Sequence, residues 1–259
     1  MTDLPVLTHQ DFLALASRGE GVENVDLAEI DWGDLPETAL RFKGCRLSEK
    51  RLVEACLEEA AFENCSFVNV AFPRCNLRDA TFTGCTFFDA EAGTGCDFSH
   101  ANLEEAAFRR CNLATSLFKN ASLKGAVFEE CKAHGCNFKN ARFSRTVGRA
   151  GHSLTAVHML RSNFDFAQMA ELTFDDCSLL DCSFREADFY GCSFIGADLS
   201  DSDLTGAQLD RCNFENADLR GVLMDRFDFA EMVSIDGLKI NHSQQSVLLA
   251  GLGIRVFPD

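Results

Sequence analysis

Thirteen cysteines are the residues best equipped for chemistry in this 259-residue sequence. As thiolates they would ligate a soft metal or exchange disulfides. Intervals of twenty align Cys45, Cys65 and Cys85, then Cys111 with Cys131, and Cys192 with Cys212. Yet no C-x-x-C pair occurs, and the shortest intervals, Cys131/Cys136 and Cys177/Cys182, are fives, which is not a zinc-ligand spacing. The same positions carry Ala and Ser elsewhere, so the cysteines read as small core hydrophobes. The six histidines, His9, His100, His134, His152, His158 and His242, show no metal or triad spacing. Neither a glycine-rich phosphate loop nor a nucleophile elbow is present. Outward carboxylates on a solvated surface lack the desolvation that tunes a general acid. The chain therefore reads as non-enzymatic, with no catalytic residue, cofactor or metal expected.

Forty acids against 24 bases give a formal charge of −16, which disfavours nucleic acid and anionic membrane as partners. No apolar run approaches the roughly 20 residues of a membrane span. The start, MTDLPVLTHQDF, lacks the features of a signal peptide, so a cytoplasmic protein with reduced thiols is expected.

What must position these residues is a period of five. Counting in fives from Phe42 gives an apolar residue at every step to Phe87; the count restarts at Phe98 and runs to Phe143, and again at Phe164, running to Phe229. Nineteen of the 24 Phe occupy this central position. Two residues earlier stands a small residue, and 12 of the 13 Cys lie there, Cys56 being the exception. The residue just before the centre is often Asn or Asp, as in GADLS DSDLT GAQLD RCNFE NADLR. A helix requires a period of 3.6 and a strand one of 2.0. Five fits a chain that makes one side of a square and then turns, with the central and small residues both inward. Four repeats complete a coil, and coils stack about 4.8 Å apart through backbone hydrogen bonds.

Two interruptions break the count. The step from Phe87 to Phe98 is eleven instead of ten, across segment 88–95; that from Phe143 to Phe164 is twenty-one instead of twenty, across segment 144–155. A one-residue slip would turn the wrong side chains inward, so each segment is expected to leave the wall as a loop. Neutral insertion into a tolerant loop is the plain alternative to a binding role.

The repeat resembles that of the pentapeptide-repeat family over roughly residues 25–239, which implies a right-handed quadrilateral β-helix, an all-β fold. More narrowly, FFDAEAGTGCDFSHANLEEAAF, ECKAHGCNFKNARF and DGLKINHSQQSVLLAGLGIRV are similar to the two loop regions and the C-terminal segment of the quinolone-resistance (Qnr) branch. That resemblance implies a partner, a bacterial type II topoisomerase (DNA gyrase above all, or topoisomerase IV), protected from quinolones or a similar topoisomerase poison. It also implies a homodimer formed through a short C-terminal helix. The loop residues it brings forward are Asp89, Glu91 and Gly93 in the first loop and Arg145, Val147, Arg149, His152 and Leu154 in the second. The chain departs from that branch in being some forty residues longer at its N-terminus. An interaction scaffold or a self-immunity protein with another partner is the alternative. Residues 8–18 read as a helix capped by Thr8, and Leu27 and Trp32 suggest an irregular coil before Pro36. Three parts are expected: a capping extension over 1–24, the β-helix over 25–239 and a dimerisation segment over 240–259.

The charge is uneven. Residues 101–161 hold four acids and ten bases, whereas 171–236 hold sixteen acids and four bases. With four repeats of five per coil, Asp181 stacks on Asp201, and Asp198 on Asp218 beside them. Such a column is either a solvated surface that keeps the rod soluble or a mimic of duplex charge. Val247, Leu248, Leu249, Leu252 and Ile254 form an apolar tail suited to closing the open end and to self-association. A rod of about nine coils spans roughly 43 Å, doubled in a dimer joined at its C-termini.

Overall fold

The computed structural model of the chain describes residues 4–36, 38–146, 153–225, 228–255 and 257. The backbone is a right-handed quadrilateral β-helix with a short helix near each end, α1 (His9–Ser17) and α2 (Gln245–Gly251). Its first side is an eight-stranded parallel sheet running from Val22–Glu23 through Arg41–Lys43, Ala61–Glu63, Thr81–Thr83, Ala107–Arg109, Val127–Glu129 and His158–Leu160 to Ser178–Leu180. Parallel bridges extend it through Asp198 and Asp218 to Lys239. The other three sides are ladders of similar bridges, such as Thr86↔Asn112↔Lys132 on the second, Asp97↔Leu117↔Asn137 on the third and Asn76↔Asn102↔Ser122 on the fourth.

Each repeat makes its turn from its own atoms. The Asn or Asp before the centre accepts a hydrogen bond from the backbone N–H two residues on: Asp97 from Ser99 at 2.9 Å, Asn137 from Lys139 at 3.0 Å, Asp203 from Thr205 at 2.9 Å. These are Asx turns, and they explain a preference that inward packing alone does not. The centre's carbonyl then accepts from the N–H three residues later, as Phe98 does from Ala101 at 3.1 Å. The last residue of the repeat is left-handed, Asn120 at φ 57° and Gly206 at φ 72° being examples. A left-handed L-residue costs about 1–2 kcal/mol, offset here by a hydrogen bond to the next coil, such as His100 N–H to Lys119 O at 2.9 Å.

The inward positions form continuous columns. On the first side Phe42, Phe62, Phe82, Phe108 and Phe128 stack face to face, their centroids 4.9, 4.9, 4.8 and 5.2 Å apart. Rings on adjacent sides meet edge-on, as Phe82 meets Phe87 at 5.4 Å. All 12 cysteines at the small position are buried, and Cys56 is exposed. Ten of these thiols donate to carbonyls of the preceding coil, as Cys131 does to Phe108 at 3.3 Å and Cys212 to Phe189 at 3.0 Å, whereas Cys177 and Cys182 donate to Asp175 O and Leu180 O two residues earlier. Burial pushes the Cys212 thiol up to about 12, which keeps it protonated and unreactive.

Three details of the expected count change. Phe87 and Phe98 are centres of consecutive sides, so the step of eleven between them contains six extra residues, not one. Phe143 and Met159 are likewise centres of consecutive sides, sixteen apart, so the second insertion is eleven and the count resumes at Met159, a repeat earlier than Phe164. At the far end the count does not reach Phe229: residues Phe229–Glu231 form a 3-10 turn, and the fourth side resumes with the bridge Asn213↔Ser234, one residue late.

Both ends are closed. Thr8 caps α1, its Oγ1 accepting from the Asp11 N–H at 3.2 Å. Phe12 of α1 stacks on Phe42 at 6.1 Å, and Trp32 lies against the same ring at 6.0 Å. Just before α2, buried Gln244 donates through Nε2 to Val222 O at 2.9 Å and to Leu219 O at 2.7 Å, the latter also accepting from the Val222 N–H at 3.1 Å, and so ties α2 to the end of the rod.

Candidate partner-binding surfaces

The first insertion is a hairpin, Phe88–Asp89 pairing antiparallel with Thr94–Gly95, on the edge between the second and third sides. The Asp89 carboxylate accepts from the N–H groups of Glu91 (2.9 Å) and Ala92 (3.2 Å), and Gly93 takes φ +69°. Asp89 is thus half-buried and spent on the turn, whereas Glu91 is exposed. The hairpin lies along the edge toward the C-terminal coils. Thr115 Oγ1 donates to Gly93 O at 3.5 Å, and the Phe88 ring meets His134 edge-on at 6.5 Å. At Gly95 the backbone passes so close to the next coil that a Cβ would overlap Ala114 O and Ser116 N, so only glycine fits.

The second insertion stands on the opposite edge, between the fourth and first sides. Arg145–Thr146 pairs antiparallel with Ser153–Thr155 at its base, which places Arg145 and Leu154 on that pair. Val147, Arg149 and His152 lie outside the described residues. Among the described residues, the first-loop positions 89, 91 and 93 and the second-loop base at 145 and 154 are therefore not brought together: they occupy opposite edges and different coils.

The four aspartates are closer to one another but not equivalent. Asp181 and Asp201 are exposed left-handed corner residues at the end of the first side, at φ 53° and 61°. Asp198 is half-buried and accepts from the Ser200 N–H at 3.0 Å and hydroxyl at 2.6 Å. Asp218 is buried, and its carboxylate accepts from Arg220 Nη2 at 2.7 Å and Nε at 2.9 Å. Asp218 is therefore not the outward charge that stacking alone implies. The cue was present in the sequence, since residues two apart on a side both face outward and Arg220 stands two after Asp218. The Arg220 guanidinium holds the Asp218 carboxyl below the usual aspartate range. A folded-state pKa below the unfolded one contributes stability above about pH 4 that is lost as pH falls through the folded value. Asp218→Asn is therefore expected to lower the melting temperature at pH 7 and to flatten its decline between pH 5 and 2. An unchanged acid limb in melts across that range would show that the pair does not stabilise the fold.

The apolar tail divides. Leu248 is buried toward the rod, Val247 and Leu249 are half-buried, and Leu252 and Ile254 are exposed. Among the described residues no group of three or more His, Cys, Asp or Glu is arranged to hold a metal, and no helix is long and apolar enough to cross a membrane.

A family profile, Pentapeptide repeats (8 copies), matches residues 55–90, 94–115, 111–147, 162–201 and 182–221. Among solved structures, the chain is similar to a trypsin-treated variant of QnrB1, a plasmid-mediated fluoroquinolone resistance protein. The TM-score is 0.74 at 28% identity, over 82% of this chain and 99% of that one. A second trypsin-treated QnrB1 variant matches at TM-score 0.73 and 27% identity, over 84% of this chain and 100% of that one. Full-length QnrB1 matches at 0.69 and 27%, over 81% and 100%. No curated protein sequence matches the chain.

Proposed function

The chain belongs to the pentapeptide-repeat family, and on that ground we propose that it binds a bacterial type II topoisomerase, DNA gyrase in the first instance, and protects it from fluoroquinolones. The observation that carries this reading is the likeness to QnrB1, a fluoroquinolone resistance protein, over 82% of this chain and 99% of that one. The mechanism is occupation of a DNA-binding saddle by an acidic rod. From Thr173 onward the first and fourth sides carry Asp175, Asp176, Asp181, Asp198, Asp201 and Glu215. Charge of one sign on a narrow rod steers it to a basic saddle, and the loops supply selectivity. The protein acts as a binder without turnover, in the cytoplasm. The deciding experiment is gyrase supercoiling with and without a fluoroquinolone. The protein should restore supercoiling in the presence of the drug; restoration of none, at concentrations that saturate binding, would remove the proposal.

The working unit is a homodimer joined through the C-terminal tails, in which exposed Leu252 and Ile254 meet across a two-fold axis. Deleting residues 243–259 also removes Gln244 and Leu248 from the end of the rod. Light scattering should then report a monomer or an aggregate; an intact dimer would place the interface elsewhere.

A further inference from the structure

We infer that Phe166 is an aromatic anchor by which the rod seats itself in an apolar, basic-rimmed pocket of its topoisomerase partner; this rests on the reading just given. Phe166 ends the second side of its coil, in a corner column with Thr115, Gly135, Glu186 and Gly206. All five are left-handed, with φ of 55°, 67°, 59°, 55° and 72° in chain order. Two are glycine, the residue that this conformation favours, and a bulky aromatic is the least suited to it. The fold gains nothing visible from the ring, which is 63% exposed and covers no core. What the corner needs is the backbone, whose N–H donates to Arg185 O at 2.9 Å. A side chain that is strained, apolar and left in water points to a use outside the fold.

Its position supports that use. The first hairpin lies along the same edge and reaches His134, the residue beside Gly135, and Phe166 occupies the corner of the next coil. Hairpin and ring are thus successive features of one edge. The ring is flanked by Asp165 and Glu186. Asp165 is fixed in place, Oδ1 accepting from Ser183 Oγ at 2.5 Å and from the Arg185 N–H at 3.0 Å. An apolar ring between carboxylates matches a protein pocket with Lys or Arg at its rim. It does not match a phosphate backbone, which those carboxylates repel. An aromatic filling such a pocket is the usual form of an interface hot spot.

Phe166→Gly separates this role from a structural one. Because glycine suits the corner, its melting temperature should be no lower than that of the wild type. Its affinity for gyrase, measured by calorimetry or surface plasmon resonance, should fall at least about 30-fold, and Phe166→Trp should retain most of the affinity. A Gly variant that binds as tightly as the wild type overturns the inference and leaves the gyrase reading standing. A Gly variant that melts well below the wild type assigns the ring to the fold and also overturns it. If the wild type itself fails to bind gyrase, the functional reading falls and the anchor falls with it.

Discussion

Phe194→Ala is expected to lower the unfolding free energy by about 3–5 kcal/mol. Cys192→Ala, two residues earlier on the same side, should cost roughly 1 kcal/mol. Both side chains are fully inward, so the contrast tests the division of labour within a repeat rather than burial. Phe194 lies between Phe174 at 5.1 Å and Phe214 at 5.0 Å in its own column and meets Phe189 edge-on at 5.3 Å. Removing the ring leaves a void bounded by rings that the hydrogen-bonded walls hold in place, so collapse cannot fill it. At position 192 the loss is one sulfur, at a site where Ala187 and Ala197 stand on the neighbouring sides. Phe184→Ala should behave like Phe194→Ala. Comparable losses for ring and thiol variants in urea melts would mean that the central position does not carry the core.

The second large effect concerns function. Deleting segment 145–155 restores the step of five from Phe143 to Met159. The rod should keep its far-UV spectrum and unfold within about 1 kcal/mol of the wild type, since Phe143 and Met159 already centre consecutive sides without it. Protection of gyrase should be abolished, because an acidic rod alone carries little specificity. Charge should fail differently. Asp181→Asn, Asp198→Asn and Asp201→Asn combined should slow association and reduce its salt dependence while dissociation stays near that of the wild type. Asp218 is left out of this set because Arg220 already neutralises it. A loop-deleted rod that still protects would make the loop dispensable; a triple variant with unchanged salt dependence would remove charge mimicry by these residues.

The repeat was legible because one solution satisfies a period of five, and the 18 central Phe from Phe42 to Phe214 are all buried. Continuity across the insertions was not. Counting from Phe143 to the next Phe skips Met159, whose column is shown by the pairing Phe128↔Met159 and not by residue type. The cap of α1 was readable because Thr8 and Asp11 are local partners. Contacts that cross coils or depend on orientation were less so. Leu248 and Leu252 are both apolar, yet one faces the rod and the other faces out, because Gln244 fixes how α2 enters. Phe166 falls two residues past a centre, where composition gives no warning that the backbone is left-handed.

The insertions, six and eleven long, are not multiples of five, yet the sides that follow each of them are in register. Phase is therefore reset at every corner by pairing with the coil before, and no error accumulates along the chain. The wall works as a pegboard. Corner segments can be lengthened, shortened or exchanged independently, so the surface offered at the corners can diverge while the rod's diameter and pitch stay constant.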